Sequence, residues 1–236
     1  KAVEVGPYVG SGDHRSGTAW VYDDDRLDPR LLRSKEPGGY YGSPCSLGQF
    51  NTHYVGGVAH ELGHALGLPH VKETPDQADR GSALMGGGNH TYGEELRGEG
   101  KGTFLHPVSA MRLANHRRFA GERPRSTETP DCQLLELRAV AEGGRLRVEG
   151  RVTSDIDVFG VVAYDDWGKV ESDYDAYGWV GRLEGEGRFR VELGVLRPGP
   201  SQVRLTVVHA NGRTTEFPID YQVDAGGGVN VETFRK

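Results

Sequence analysis

Two hydrophobic periodicities run along this chain, and one gives way to the other near its middle. In the second half, Leu146, Val148, Gly150 and Val152 alternate with Arg145, Arg147, Glu149 and Arg151, and Phe189, Val191 and Leu193 alternate with Arg188, Arg190 and Glu192. Val203, Leu205 and Val207 repeat the scheme, as do Phe217, Ile219, Tyr221 and Val223. A period of two sends successive side chains to opposite faces, so each run buries one face and wets the other, as antiparallel strands do. Asn211-Gly212 sits between two such runs and is a hairpin signal. Together with residues 134–140 and 158–164, the pattern predicts six or seven short strands in about 105 residues, an all-β sandwich.

The first half is mixed α/β (α+β). Residues 18–22 (Thr-Ala-Trp-Val-Tyr) read as a strand. Asn51 or Thr52 can cap a helix running to about Leu66, with Val55, Val58, Ala59, Leu62 and Leu66 as its apolar stripe. Gly67 ends it and Pro69 prevents its resumption. A second helical pattern covers 107–119, and the proline-bearing, aperiodic stretch 121–131 has linker composition. The expected organisation is therefore a domain over 1–120, a linker over 121–131 and a second domain over 132–236. The strand count and rhythm of that second domain resemble an immunoglobulin-like sandwich.

Composition narrows the function classes. The 236 residues are 36% hydrophobic and 26% charged, and no apolar run approaches the roughly 20 residues that span a bilayer. The net charge of −6 falls mostly after residue 130, and neither half carries a basic stripe, which argues against nucleic acid as a partner. Cys45 and Cys132 are the only cysteines. A disulfide between them is expected, in keeping with an oxidising compartment and a secreted protein; two unpaired thiols are the alternative. The chain opens at Lys1 without a signal segment, so such a segment is expected to have been removed.

Candidate chemistry lies on the first predicted helix, in His60-Glu61-Leu62-Gly63-His64. At about 100° per residue the two histidines stand one turn apart on one side, so both imidazoles can reach one ion. Glu61 is offset by about 100°, outside the ligand shell but within reach of a water on the metal. Ala65-Leu66-Gly67-Leu68-Pro69-His70 follows; Gly67 permits the sharp turn that returns His70 to the ion. Three protein ligands leave one position open, the mark of a catalytic zinc rather than a structural one.

His60-Glu61-x-x-His64-x-x-Gly67-x-x-His70 resembles the metzincin clan of zinc endopeptidases. The resemblance spans roughly residues 17–119 and implies a further set of roles. Met85, in Gly81-Ser82-Ala83-Leu84-Met85-Gly86, would be the Met-turn floor beneath the imidazoles. The strand bearing Thr18, Ala19 and Trp20 would run beside bound substrate. His90 would stand where the clan shapes the pocket for the side chain after the cut. Some members carry a metal-binding tyrosine two residues past the methionine; Gly87 occupies that position here, leaving Tyr92 as a candidate. Only 59 residues precede His60, fewer than the clan usually has, so the N-terminal subdomain is expected to be incomplete, with the remainder in an upstream segment or a second chain of one precursor. Val71 matches no common family marker.

The remaining polar residues receive plainer assignments. His53 reads as a helix-surface or cap residue, and His106 and His116 belong with the final helix. Asp23-Asp24-Asp25 and Asp165-Asp166 offer carboxylates for calcium but lack a complete ligand spacing, so solvated loop charges are expected. The leading function is a zinc endopeptidase acting on protein or peptide, with Glu61 as general base. A binding or adhesion protein with a remnant protease half, and a zinc hydrolase of non-peptide bonds, are the alternatives.

Overall fold

A computed structural model describes residues 8–168 and 173–235 of the chain. It is a mixed α/β structure whose contacts separate two compact units, the first ending at His106 and the second beginning at Pro107.

In the first unit, strands β1 (Tyr8–Gly12) and β2 (Gly17–Val21) form an antiparallel hairpin with Gly10 opposite Ala19. Strands β3 (Pro37–Tyr40) and β4 (Pro44–Ser46) form a second antiparallel pair leading into helix α1 (Leu47–Ala65). Strands β5 (Ser82–Ala83) and β6 (Thr103–Phe104) run parallel to each other. Helix α1 starts about one and a half turns before the expected Asn51 or Thr52, because Ser46 and Gln49 make a reciprocal capping box. Asn51 and Thr52 are buried and serve as cross-links instead. Asn51 donates to the Arg26 and Leu47 carbonyls and accepts the Asp28 N–H, and the Thr52 hydroxyl donates to the Tyr92 carbonyl. At the other end, Gly67 (φ 76°) carries the Leu68 N–H back to the Gly63 carbonyl and its own N–H to that of His64, a Schellman stop.

The face that α1 buries is not the apolar stripe. Val58 and Leu62 are exposed, whereas Gly56, Gly57, His60, Glu61 and Gly63 are buried. Glycine explains this: a Cβ on Gly10 would lie 2.1 Å from the Glu61 carbonyl oxygen, and one on Gly17 would lie 1.8 Å from that of Ala65. The hairpin therefore rests directly on the helix backbone, at a distance that no side chain larger than hydrogen allows.

The second unit contains helices α2 (Pro107–Ala114) and α3 (Arg117–Ala120), then strands β7 (Cys132–Glu142), β8 (Arg145–Ser154), β9 (Val158–Trp167), β10 (Tyr177–Val180), β11 (Arg182–Leu183), β12 (Arg188–Leu193), β13 (Gly199–His209) and β14 (Thr214–Val223). They make two four-stranded antiparallel sheets, ordered β10-β9-β13-β14 and β11-β12-β8-β7. The alternating residues of both sheets close one core around Leu146, Val148, Phe189, Leu205 and Tyr221. Asn211-Gly212 turns between β13 and β14, and the Asn211 side chain also donates to the Arg125 and Glu128 carbonyls.

Several expectations change here. The helix expected over 107–119 is two helices, because the His116 imidazole accepts the Arg118 N–H and restarts the chain as α3. The 121–131 stretch is tied to the second unit by Asn211 and by an Arg125–Asp155 ion pair at 2.6 Å. Cys45 and Cys132 are free thiols, so the expected disulfide is not formed and its support for an oxidising compartment falls away. Asp165 and Asp166 are buried in β9 rather than solvated in a loop: Asp165 accepts from Ser201 and Tyr221, and Asp166 pairs with Arg204 at 2.5 Å. Asp24 pairs with Arg26 at 2.7 Å. Among the described residues no helix is long and apolar enough to cross a membrane.

Candidate metal centre

Helix α1 and the loop after Gly67 bring three imidazoles to one point. His64 Nε2 lies 3.1 Å from His60 Nε2 and 3.0 Å from His70 Nε2, and ligand atoms of all three fall within 4.8 Å of one another. An ion holding nitrogens tetrahedrally at 2.0–2.1 Å spaces them by about 3.3 Å, so the separations suit one shared ion.

The other ring nitrogens decide what these atoms offer. His60 Nδ1 donates to the Leu84 carbonyl at 2.7 Å, and His64 Nδ1 donates to the Leu68 carbonyl at 2.9 Å. A carbonyl only accepts, so each Nδ1 carries the proton and each neutral ring presents a lone pair at Nε2. Two lone pairs facing each other at 3.1 Å repel unless a cation lies between them. Protonation is disfavoured as the remedy: burial, helped by the neighbouring imidazoles and opposed by the Leu84 carbonyl, pushes His60 down to about 4. Carbonyls fixing the tautomer of converging histidines are the outer-shell arrangement that metal sites use, and the donor set fits zinc.

The surrounding chain positions His70 and Met85. Val71 N–H donates to the Met85 carbonyl at 3.0 Å, tying the His70 loop to the segment beneath α1. Met85 is fully buried, and its Sδ lies only 2.3 Å from where a Cβ on Gly63 would stand. Met85 thus packs under the helix turn between His60 and His64. Glu61, on the same turn, is buried, and its carboxylate accepts the Gly10 N–H from β1. Burial raises its pKa, with Gly10 and His70 pulling it partly back.

With this geometry in place, comparison with solved structures finds OgpA from Akkermansia muciniphila. In one wild-type crystal form it aligns with 25% identity over 85% of this chain and 56% of OgpA, at a TM-score of 0.70. In a second form the values are 26%, 85%, 55% and 0.69. Catalytically inactive OgpA in complex with an O-glycopeptide substrate, glycodrosocin, aligns with 24% identity over 90% of this chain and 58% of OgpA, at 0.73. The chain shares OgpA's fold. It spans a little over half of OgpA's length. No protein-family model and no curated protein matches it.

The other sequence-derived candidates fall in several places. Thr18, Ala19 and Trp20 are exposed on β2, and the strand that reaches Glu61 is β1, through Gly10. Tyr92 packs its Cβ against Gly56, and its carbonyl takes the Thr52 hydroxyl. His90 is exposed and faces His53, Nδ1 to Nδ1, at 3.3 Å; His53 is half-buried on α1. Sequence reasoning missed the Leu68 and Leu84 carbonyls and the Gly10 N–H. These are backbone groups, and only the leucine two residues before the third histidine and the Leu84-Met85 pair stood close enough to the motif to draw attention.

Proposed function

We propose that the chain is the zinc-binding core of an endopeptidase, with His60, His64 and His70 as ligands and Glu61 as general base. The observation that carries this is the convergence of three Nε2 atoms, two with their tautomer fixed by backbone carbonyls, beside a buried carboxylate. Bound zinc supplies a Lewis acid that acidifies water and polarises a carbonyl. Glu61 accepts the proton of the attacking water and returns it to the leaving amine. The Gly10 N–H orients the Glu61 carboxylate, the Leu68 and Leu84 carbonyls keep His64 and His60 presenting Nε2, and Met85 closes the floor against water. Because an O-glycopeptide is a substrate of OgpA, O-glycosylated peptides are the substrate class proposed first.

The second unit is proposed to be immunoglobulin-like. Its sheet orders, β7-β8-β12-β11 and β14-β13-β9-β10, follow the ABED and GFC arrangements of that fold with one added edge strand.

Metal removal tests the enzymatic assignment. Dialysis against a chelator is expected to abolish cleavage of an O-glycosylated protein, and one equivalent of zinc to restore it. Cleavage that persists in zinc-free protein contradicts the assignment. A chain that binds zinc and cuts no peptide, bare or glycosylated, favours the non-peptide hydrolase.

A further inference from the structure

The segment that carries Leu84 and Met85 is held by a residue outside the histidine motif. Strand β5 runs parallel to β6, with the Ser82 N–H donating to the Gly102 carbonyl and the Leu84 N–H to the Phe104 carbonyl. Successive N–H groups of a strand point to opposite edges, so the Ala83 N–H is directed away from β6. On that side the acceptor is a side chain: Glu73 Oε2 takes the Ala83 N–H at 2.9 Å. Ala83 is fully buried, and a buried backbone donor is costly to leave without an acceptor.

Glu73 lies three residues beyond His70, so this bond ties the third-ligand loop to β5. The Val71 N–H makes a second tie, to the Met85 carbonyl at 3.0 Å. Two bonds set two residues apart lay 71–73 antiparallel against 83–85. The segments are pressed together: a Cβ on Gly86 would stand 2.9 Å from the Val71 carbonyl oxygen and 3.2 Å from Lys72 Cα.

The consequence reaches the first ligand. Leu84 follows Ala83 directly, and its carbonyl accepts the proton of His60 Nδ1 at 2.7 Å. Glu73 on one edge and the Phe104 carbonyl on the other fix the two peptide groups that precede this carbonyl, and so aim it at His60. Glu73 is not among the ligand atoms that converge at the triad, so it acts on them through the backbone.

Resting on the zinc assignment above, we propose that Glu73 is a positioning residue for the metal centre. Its carboxylate clamps the His70 loop to the segment that orients His60, and thereby holds the two imidazoles at the spacing one ion needs. Groups that orient metal ligands are worth about 10–100-fold in metal affinity. Glu73 acts one step further out, so its removal belongs at the low end of that range.

Transfer of zinc from the loaded protein to a chromogenic chelator tests the clamp, with circular dichroism as the folding control. Glu73→Ala is expected to hold zinc about tenfold more weakly than wild type. Glu73→Gln keeps an accepting oxygen at the same reach and is expected to stay within about twofold of wild type. Cobalt put in place of zinc supplies a spectroscopic reading: its visible absorption should change in Glu73→Ala and match wild type in Glu73→Gln. Glu73→Asp, which withdraws the carboxylate by one methylene, is expected to follow alanine and replaces it as the test if the alanine protein does not fold. Wild-type zinc retention and an unchanged cobalt spectrum in folded Glu73→Ala, or an equal loss in Glu73→Gln, overturns the clamp and leaves the triad standing. A wild-type chain that takes up no zinc instead removes the zinc assignment itself.

Discussion

Glu61→Gln is expected to keep one zinc per chain and to lose peptide cleavage by about 10²–10⁴-fold, the share that a positioned general base contributes. The substitution is nearly isosteric, and an amide oxygen can still accept the Gly10 N–H that the carboxylate accepts now. Packing around this buried residue is therefore kept, and what disappears is a group able to take a proton. Burial raises the Glu61 pKa, so its basic form is lost at a higher pH than in an exposed glutamate. Zinc analysis together with a glycopeptide cleavage assay reads both halves of the prediction. A Glu61→Gln protein that cleaves at wild-type rate, free of contaminating protease, removes Glu61 from the chemistry.

His64→Ala is expected to cost the zinc itself. His64 Nε2 is the central atom of the trio, 3.1 Å from one partner and 3.0 Å from the other, and its Nδ1 is already committed to the Leu68 carbonyl. Loss of a hydrogen bond that merely supports a ligand weakens metal binding by about 10–100-fold. Loss of the ligand should exceed that, taking zinc content from one per chain to near zero after dialysis and activity with it. The helix should survive, since its capping box at Ser46 is remote and its stop at Gly67 uses only the backbone carbonyl of His64, which alanine keeps. Equilibrium dialysis with zinc, with circular dichroism as the folding control, checks this. Undiminished zinc affinity in His64→Ala would place the metal elsewhere.

The legible parts of this protein are those where local spacing dictates the outcome. Alternation from Leu146 to Val152 fixed which faces of β8 are buried, and the register with β12, Val148 opposite Val191, pairs apolar residues inward as the pattern requires. The triad was legible for the same reason, because i, i+4 spacing and Gly67 are local facts. Contacts between distant segments were not. Nothing in Gly10-Ser11-Gly12 announces that it will lie on the backbone of Glu61 and Ala65, and this contact leaves the helix's apolar stripe outward. Asn51 and Thr52 looked like caps because their side chains seek backbone groups, and they do bond backbone, but across loops and not at a helix start. His53 and His90, far apart in sequence, offered no pattern at all until α1 and the turn after Met85 brought them together.

X-ray absorption at the zinc edge tests the centre most directly. Protein loaded with one equivalent of zinc is expected to show a shell of three imidazole nitrogens and one further light atom, with no sulfur. A zinc–sulfur shell, or fewer than three imidazoles around stoichiometrically bound zinc, would contradict it.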